Sequence, residues 1–175
     1  MAKYYIALLN ESTQQMLVPI KTVFNPFYNH IAFCAGMPQF FGGSDNDDAG
    51  PIAVLDREIS EESRHTLELV SPQITYFFHT GNVYAGSMDF YYADQPKWQT
   101  TDTPWQQPAN GAEAEMDRIV TVELSGFRIN MTDDDLINEL LRQTGCLNPQ
   151  LPGWNDFSNS ATRSVFIALL RGLAR

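Results

Sequence analysis

The chain has 175 residues, 43% of them hydrophobic, and sets 21 acidic side chains against 11 basic ones for a formal net charge of −10. That length suits one domain, or one domain with a short appendage. The acidic balance excludes a sequence-independent grip on nucleic acid, which needs a surplus of lysine and arginine over phosphate. Cys34 and Cys146 are too few for a disulfide framework and lack the spacing of a zinc site. The opening run MAKYYIALLNESTQQ has neither the pattern of a signal peptide nor the length of a span, so a cytoplasmic protein with no membrane role is expected.

In chain order, KYYIALLN and MLVPIKTVF are aromatic and β-branched runs separated by a polar ESTQQ, which predicts a hairpin, with Pro19 at an edge or bulge. IAFCAGMPQFF reads as one or two short strands stopping at Gly42 and Gly43, and SDNDDAG as a polar loop. Pro51 suits a first helical turn, and a helix is predicted over 51–64 with Ile52, Leu55 and Ile59 as its buried stripe. Two aromatic strands are expected around the turn HTGN, their rings mostly core.

Residues 94–115 have no apolar period and read as a long loop, of the kind that is functional or disordered in a compact domain. Trp98 and Trp105 lie in it and are candidates for a substrate lid or a dimer contact. MDRIVTVELSGF returns to strand. TDDDLINELLRQTG is then a helix with Thr132 as N-cap, acids complementing its dipole and Gly145 as its stop. Residues 146–175 read as a linker and a terminal helix with Val165, Phe166, Leu169, Leu170 and Leu173 on one stripe, packed on a domain over 1–145 or on a partner copy in a homodimer.

The stretch REISEESRHT crowds Glu58, Glu61 and Glu62 onto one arc of the predicted helix. Glu58 and Glu62 form a like-charge pair one turn apart, which costs a helix about 0.2–0.5 kcal/mol. Arg57 relieves part of that. A divalent cation relieves more, since Mg²⁺ takes hard oxygen ligands from a few carboxylates together with substrate phosphates. A solvated acidic face is the plain alternative.

The order of residues around this arc resembles the Nudix box: glycine, five residues, glutamate, seven residues, then Arg-Glu-apolar-any-Glu-Glu-any-Gly-apolar. Gly43 falls on the leading glycine with Gly42 before it, and REISEE reproduces the core. Ala49 stands at the upstream glutamate, with Asp48 one residue away, and Arg64-His65 replaces the closing Gly-apolar pair. The resemblance is legible over about 25 residues, from Gly43 to His65.

It implies an α+β chain, an α/β/α sandwich around a mixed sheet, with the loop and helix of the box holding Mg²⁺ or Mn²⁺ against a diphosphate. Carried over by position, Glu58, Glu61 and Glu62 are ligand candidates, Glu58 and Glu61 candidates for the catalytic base, and Arg57 the cation that orients them. Gly42 and Gly43 join Trp98 and Trp105 as substrate-binding candidates. Family members draw a further acid from a loop before the last core strand. Here that is Glu113 or Glu115, with Glu115 placed in the metal set. The implied activity is hydrolysis of a phosphoanhydride in a nucleoside diphosphate linked to another moiety. The alternative is a Nudix-fold binding module with a decayed box.

Overall fold

A computed structural model describes residues 1–175. Strand β1 (Ala2–Asn10) points Tyr4, Ile6 and Leu8 to one face and Tyr5, Ala7 and Leu9 to the other, so it supplies two cores at once. It forms a hairpin with β2 (Gln15–Lys21), Leu8 opposite Leu17. A small separate hairpin, β3 (Phe24–Asn25) with β4 (His30–Ile31), precedes β5 (Phe41–Ser44), which lies antiparallel along the first half of β1. One edge of β1 is therefore shared, β5 taking Lys3 to Ile6 and β2 taking Leu8 to Asn10.

Helix α1 (Pro51–Glu62) follows, then β6 (Leu67–Leu69), β7 (Thr75–Asn82), β8 (Gly86–Asp94), β9 (Trp98–Thr100) and β10 (Met116–Glu123). β8 runs parallel to β1 along its other edge, giving a mixed sheet in the order β10-β2-β1-β8-β7 with β5 alongside β1. β6 and β9 pair separately. After a 3₁₀ turn at Leu124–Gly126 come α2 (Asp133–Thr144), α3 (Trp154–Ser158) and α4 (Ala161–Leu173).

α1 covers one face, where Leu55 and Ile59 meet Ile6, Leu8 and Phe41. α2 and α4 cover the other, where Leu136, Leu140, Phe166 and Leu170 join a core of 22 buried residues. The result is the expected α/β/α sandwich around a mixed sheet. Residues 146–175 pack into that second core: Phe166 stacks on Phe40 with centroids 4.2 Å apart, and Cys146, Phe157 and Val165 are buried beside them. No helix is long and apolar enough to cross a membrane.

α2 shows why its sequence folds locally. Thr132 accepts the Asp135 amide while the Asp135 carboxylate accepts the Thr132 amide, and Gly145 closes the helix at φ 73°. The acids of its first turn also hold α4, Asp134 to Arg163 at 2.6 Å and Asp133 to Arg171.

Several boundaries differ from the sequence reading. Pro19 sits inside the sheet, paired with Ile119. Its carbonyl accepts the Gln39 amide, so its nitrogen faces that same side, where β1 no longer runs and no ladder bond is lost. β5 runs through Gly42 and Gly43 instead of stopping at them. The hairpin turn falls at 83–85, past HTGN, leaving Tyr84 97% exposed while Phe90 is core. α1 ends at Glu62, and Val54 rather than Ile52 joins Leu55 and Ile59 in the core, because Ile52 lies at the half-exposed start of the helix. The long loop gains order from β9, and the C-terminal linker contains α3.

Candidate functional site

The site grows from the contact between β5 and the last turns of α1. Gly42 adopts φ 151°, and a Cβ there would lie 2.1 Å from the Tyr4 carbonyl oxygen, so the close approach of β5 to β1 admits only glycine. At Gly43 a Cβ would lie 2.7 Å from Glu58 Oε1. The two glycines thus make a bare strip of backbone, and two carboxylates one helical turn apart press against it.

Glu62 is 1% exposed and accepts the Gly42 amide at 2.8 Å. Burial pushes its carboxyl well above the ordinary range, and the neighbouring Glu58 and Glu115 add to this, against partial relief from the Gly42 amide and Lys21. Glu58 is raised too, first by burial, with Arg57 opposing. Arg57 donates to Glu58 Oε1 at 2.9 Å and to the Ser44 carbonyl at 3.2 Å, which fixes the Glu58 carboxylate beside the strip. The Tyr5 hydroxyl, in the same field, is pushed up to about 12 by burial and then by Glu62, Glu58 and Glu115, so it stays protonated at neutral pH.

Above the strip lies a cavity of about 500 Å³. Glu62 and Glu115 line it together with Lys3, Lys21 and the start of α4 at Ser160. Neither lysine has a hydrogen bond or ion pair through its side chain to the rest of the protein, although the chain has only one other lysine, Lys97. Phe33, Phe40, Met88 and Phe90 supply an apolar wall.

The remaining sequence candidates separate. Glu115 stands in the cavity, whereas Glu113 is tied into its own loop by the Ala109 amide and Asn110 and lies 3.5 Å from His65. Neither Glu58 nor Glu61 is on the cavity wall: Glu58 lies against Gly43 at its edge, and Glu61 is half-buried and acts on the site through its charge beside Glu58. Trp98, a lid candidate in the sequence, is core: it is 5% exposed and its Nε1 donates to the Leu9 carbonyl at 2.8 Å. Trp105 is 40% exposed, away from the cavity, with its ring 4.2 Å from the Arg64 guanidinium carbon.

Ala49 and Asp48 are exposed in the loop, and neither reaches the cavity. The loop is shaped instead by Asp45, which accepts the Ala49 and Gly50 amides at 2.8 and 3.0 Å. At the close of the box, Arg64 and His65 both take left-handed backbone at φ 51° and 64°, the conformation a glycine would supply freely. For non-glycine residues this costs roughly 1–2 kcal/mol each.

Lys3, Lys21 and Tyr5 carry no motif, which is why the sequence did not single them out. They meet at one cavity because the run from Gly36 to Ser44 is bonded to the end of β2 through Gly36, Met37 and Gln39 and to the start of β1 as β5.

No three acidic, cysteine or histidine side chains converge as a group that could hold a metal ion by themselves. The carboxylates that could serve a hard divalent cation in an open site are Glu62, raised first by burial, with Glu58 and Glu115 in its field, and the cavity leaves room for water and phosphate oxygens.

No family model matches the chain, and no curated protein matches it. Among solved structures it is similar to an ADP compounds hydrolase at 13% identity, with a TM-score of 0.53 over 98% of this chain and 71% of that one. It is also similar to a MutT Nudix hydrolase from Burkholderia pseudomallei at 16% identity, with a TM-score of 0.46 over 81% of this chain and 95% of that one. Likeness at this identity carries architecture, and activity has to be argued from the site. The architecture is a mixed sheet between helices with the box helix against a glycine strand, and the chain has a Nudix-like fold.

Proposed function

We propose that the chain is a Mg²⁺- or Mn²⁺-dependent hydrolase that cleaves a phosphoanhydride in a nucleoside diphosphate linked to another moiety. The observation that carries this reading is the cavity's charge arrangement: Glu115 and the buried Glu62 share its lining with unpaired Lys3 and Lys21. A volume of about 500 Å³ lies within the range of small-molecule sites, roughly 300–1,000 Å³.

Glu58, Glu62 and Glu115 would hold the cation, which when bound supplies charge neutralisation on the nonbridging oxygens and a more acidic water. The chain's own groups do the rest. Arg57 keeps Glu58 turned toward the glycine strip, where its carboxylate can accept a proton from the attacking water. Lys3 and Lys21 meet the diphosphate's remaining charge. Tyr5, held protonated, offers a hydroxyl to an oxygen of the substrate. Phe33, exposed at the cavity, presents aromatic surface to the moiety beyond the phosphates.

The test is turnover of phosphoanhydrides with Mg²⁺ and with Mn²⁺, using ADP-ribose, NADH, dinucleoside polyphosphates, nucleoside triphosphates and sugar nucleotides. Cleavage of at least one that is lost on chelation supports the reading. Cation binding with an inert panel would favour a Nudix-fold binding module.

A further inference from the structure

The loop that brings Glu115 to the cavity is poorly held by its own backbone. No amide from 102 to 113 donates to a backbone carbonyl, and residues 102–107 are exposed. Its outer tethers are the Thr22 amide on the Glu115 carbonyl at 2.9 Å and Asn25 Nδ2 on the Gly111 carbonyl at 2.9 Å. Neither touches the stretch that leads in from Thr101.

Arg64 does. From the end of α1 its guanidinium donates through Nη1 to the Gln106 carbonyl at 2.9 Å, through Nε to Glu113 at 3.1 Å and through Nη2 to Met116 at 2.9 Å. The Trp105 ring covers it at 4.2 Å. One side chain thus binds the entrance, middle and exit of the loop. Only a planar fork with donors on three nitrogens can do this, and a lysine ammonium cannot reach three separated carbonyls in that way. The left-handed backbone at Arg64 completes the picture. The residue sits where a glycine would relieve strain, and what the chain gains in exchange is this set of contacts.

We infer that Arg64 is a positioning residue, a latch from the helix of the site to the loop opposite, which holds Glu115 at the cavity beside Glu62. The inference rests on the reading of Glu115 as a cation ligand, and the experiment separates the two. Because the latch acts through Glu115, its loss lowers cation affinity only while Glu115 is present.

Amide hydrogen exchange is measured on the full chain for wild type, Arg64→Gly and Arg64→Lys. Binding of Mn²⁺ alone is titrated by electron paramagnetic resonance for wild type, Arg64→Gly, Glu115→Gln and the double variant. Arg64→Gly keeps the backbone unstrained, so the fold survives. Expected are loss of protection at the bonded amides of Glu113, Ala114 and Glu115 in both Arg64 variants with α1 and β8 unchanged, and a fall in Mn²⁺ affinity in Arg64→Gly on the order of tenfold. The double variant should bind as Glu115→Gln does. Unchanged protection at those three amides, or additive losses in the double variant, would overturn the latch. If Glu115→Gln binds Mn²⁺ like wild type, the reading of Glu115 as a ligand fails, and the exchange rates alone decide whether Arg64 holds the loop.

Discussion

Glu62, in the last turn of α1, accepts the Gly42 amide at 2.8 Å while almost wholly buried, so the helix and the glycine strand are joined through a carboxylate that burial pushes toward the neutral form. A charge kept in such a place without a basic partner in contact is costly to the fold. The arrangement makes sense if a cation completes it.

The first prediction concerns that cost. Between the ordinary carboxyl value of 4.5 and the raised folded value, the native state binds more protons than the unfolded state. The contribution of Glu62 is therefore most favourable below 4.5 and declines as pH rises through the folded value. Glu62→Gln should melt higher than wild type at neutral pH without metal, flatten that pH dependence, and abolish most of the rise in Tm that Mg²⁺ or Mn²⁺ gives wild type by mass action. Thermal melts at several pH values with and without cation check all three.

The glycines separate fold from site. Gly42→Ala meets backbone and a disallowed φ, costing about 1–3 kcal/mol from conformation alone before the clash with Tyr4 is counted. Gly43→Ala meets only the end of the Glu58 side chain, so it should stay folded while displacing that carboxylate and weakening Mn²⁺ binding. Equal stability losses in the two variants, or an unaltered Mn²⁺ affinity in Gly43→Ala, would contradict this.

Lys3 and Lys21 should act on substrate and not on the cation. Replacing either by methionine keeps the apolar stem and removes the charge. KM should rise about tenfold, as expected for one charged hydrogen bond, with metal-induced stabilisation intact. Steady-state kinetics beside metal melts would show it.

The C-terminal segment is part of the fold's core. Phe166→Ala should cost about 3–5 kcal/mol, through loss of its stack on Phe40 and its contact with Phe157. Denaturation should remain one transition. A separate early transition would instead mark residues 146–175 as an independent appendage.

The first hairpin, the Thr132 cap and Gly145 stop of α2 and the stripe Leu55-Ile59 were legible because each is a local pattern with a local physical cause. REISEE was legible for the same reason, since helical spacing alone puts Glu58 and Glu62 on one side. What escaped was set by distant pairing. Trp98 looked like a lid residue because nothing in its loop shows that β9 pairs with β6 and buries the ring under β1. Glu115 and Glu113 could not be told apart, because alternate loop positions carry no motif and the choice is made by contacts from Thr22, Asn25 and Arg64. The lysines of the cavity come from the start of β1 and the end of β2, between which the run from Gly36 to Ser44 is bonded, to β2 through Gly36, Met37 and Gln39 and to β1 as β5.

If these carboxylates serve cation-dependent cleavage of a phosphoanhydride, turnover of the substrate panel with Mg²⁺ and Mn²⁺ by wild type, Glu58→Gln and Glu62→Gln will show it. At least one substrate should be cleaved between its phosphates, with activity lost on chelation. Glu58→Gln should fall by about 10²–10⁴-fold, the usual contribution of a general base, while its melting curve without metal stays close to wild type. An inert panel, or cleavage that survives both substitutions, would contradict the account.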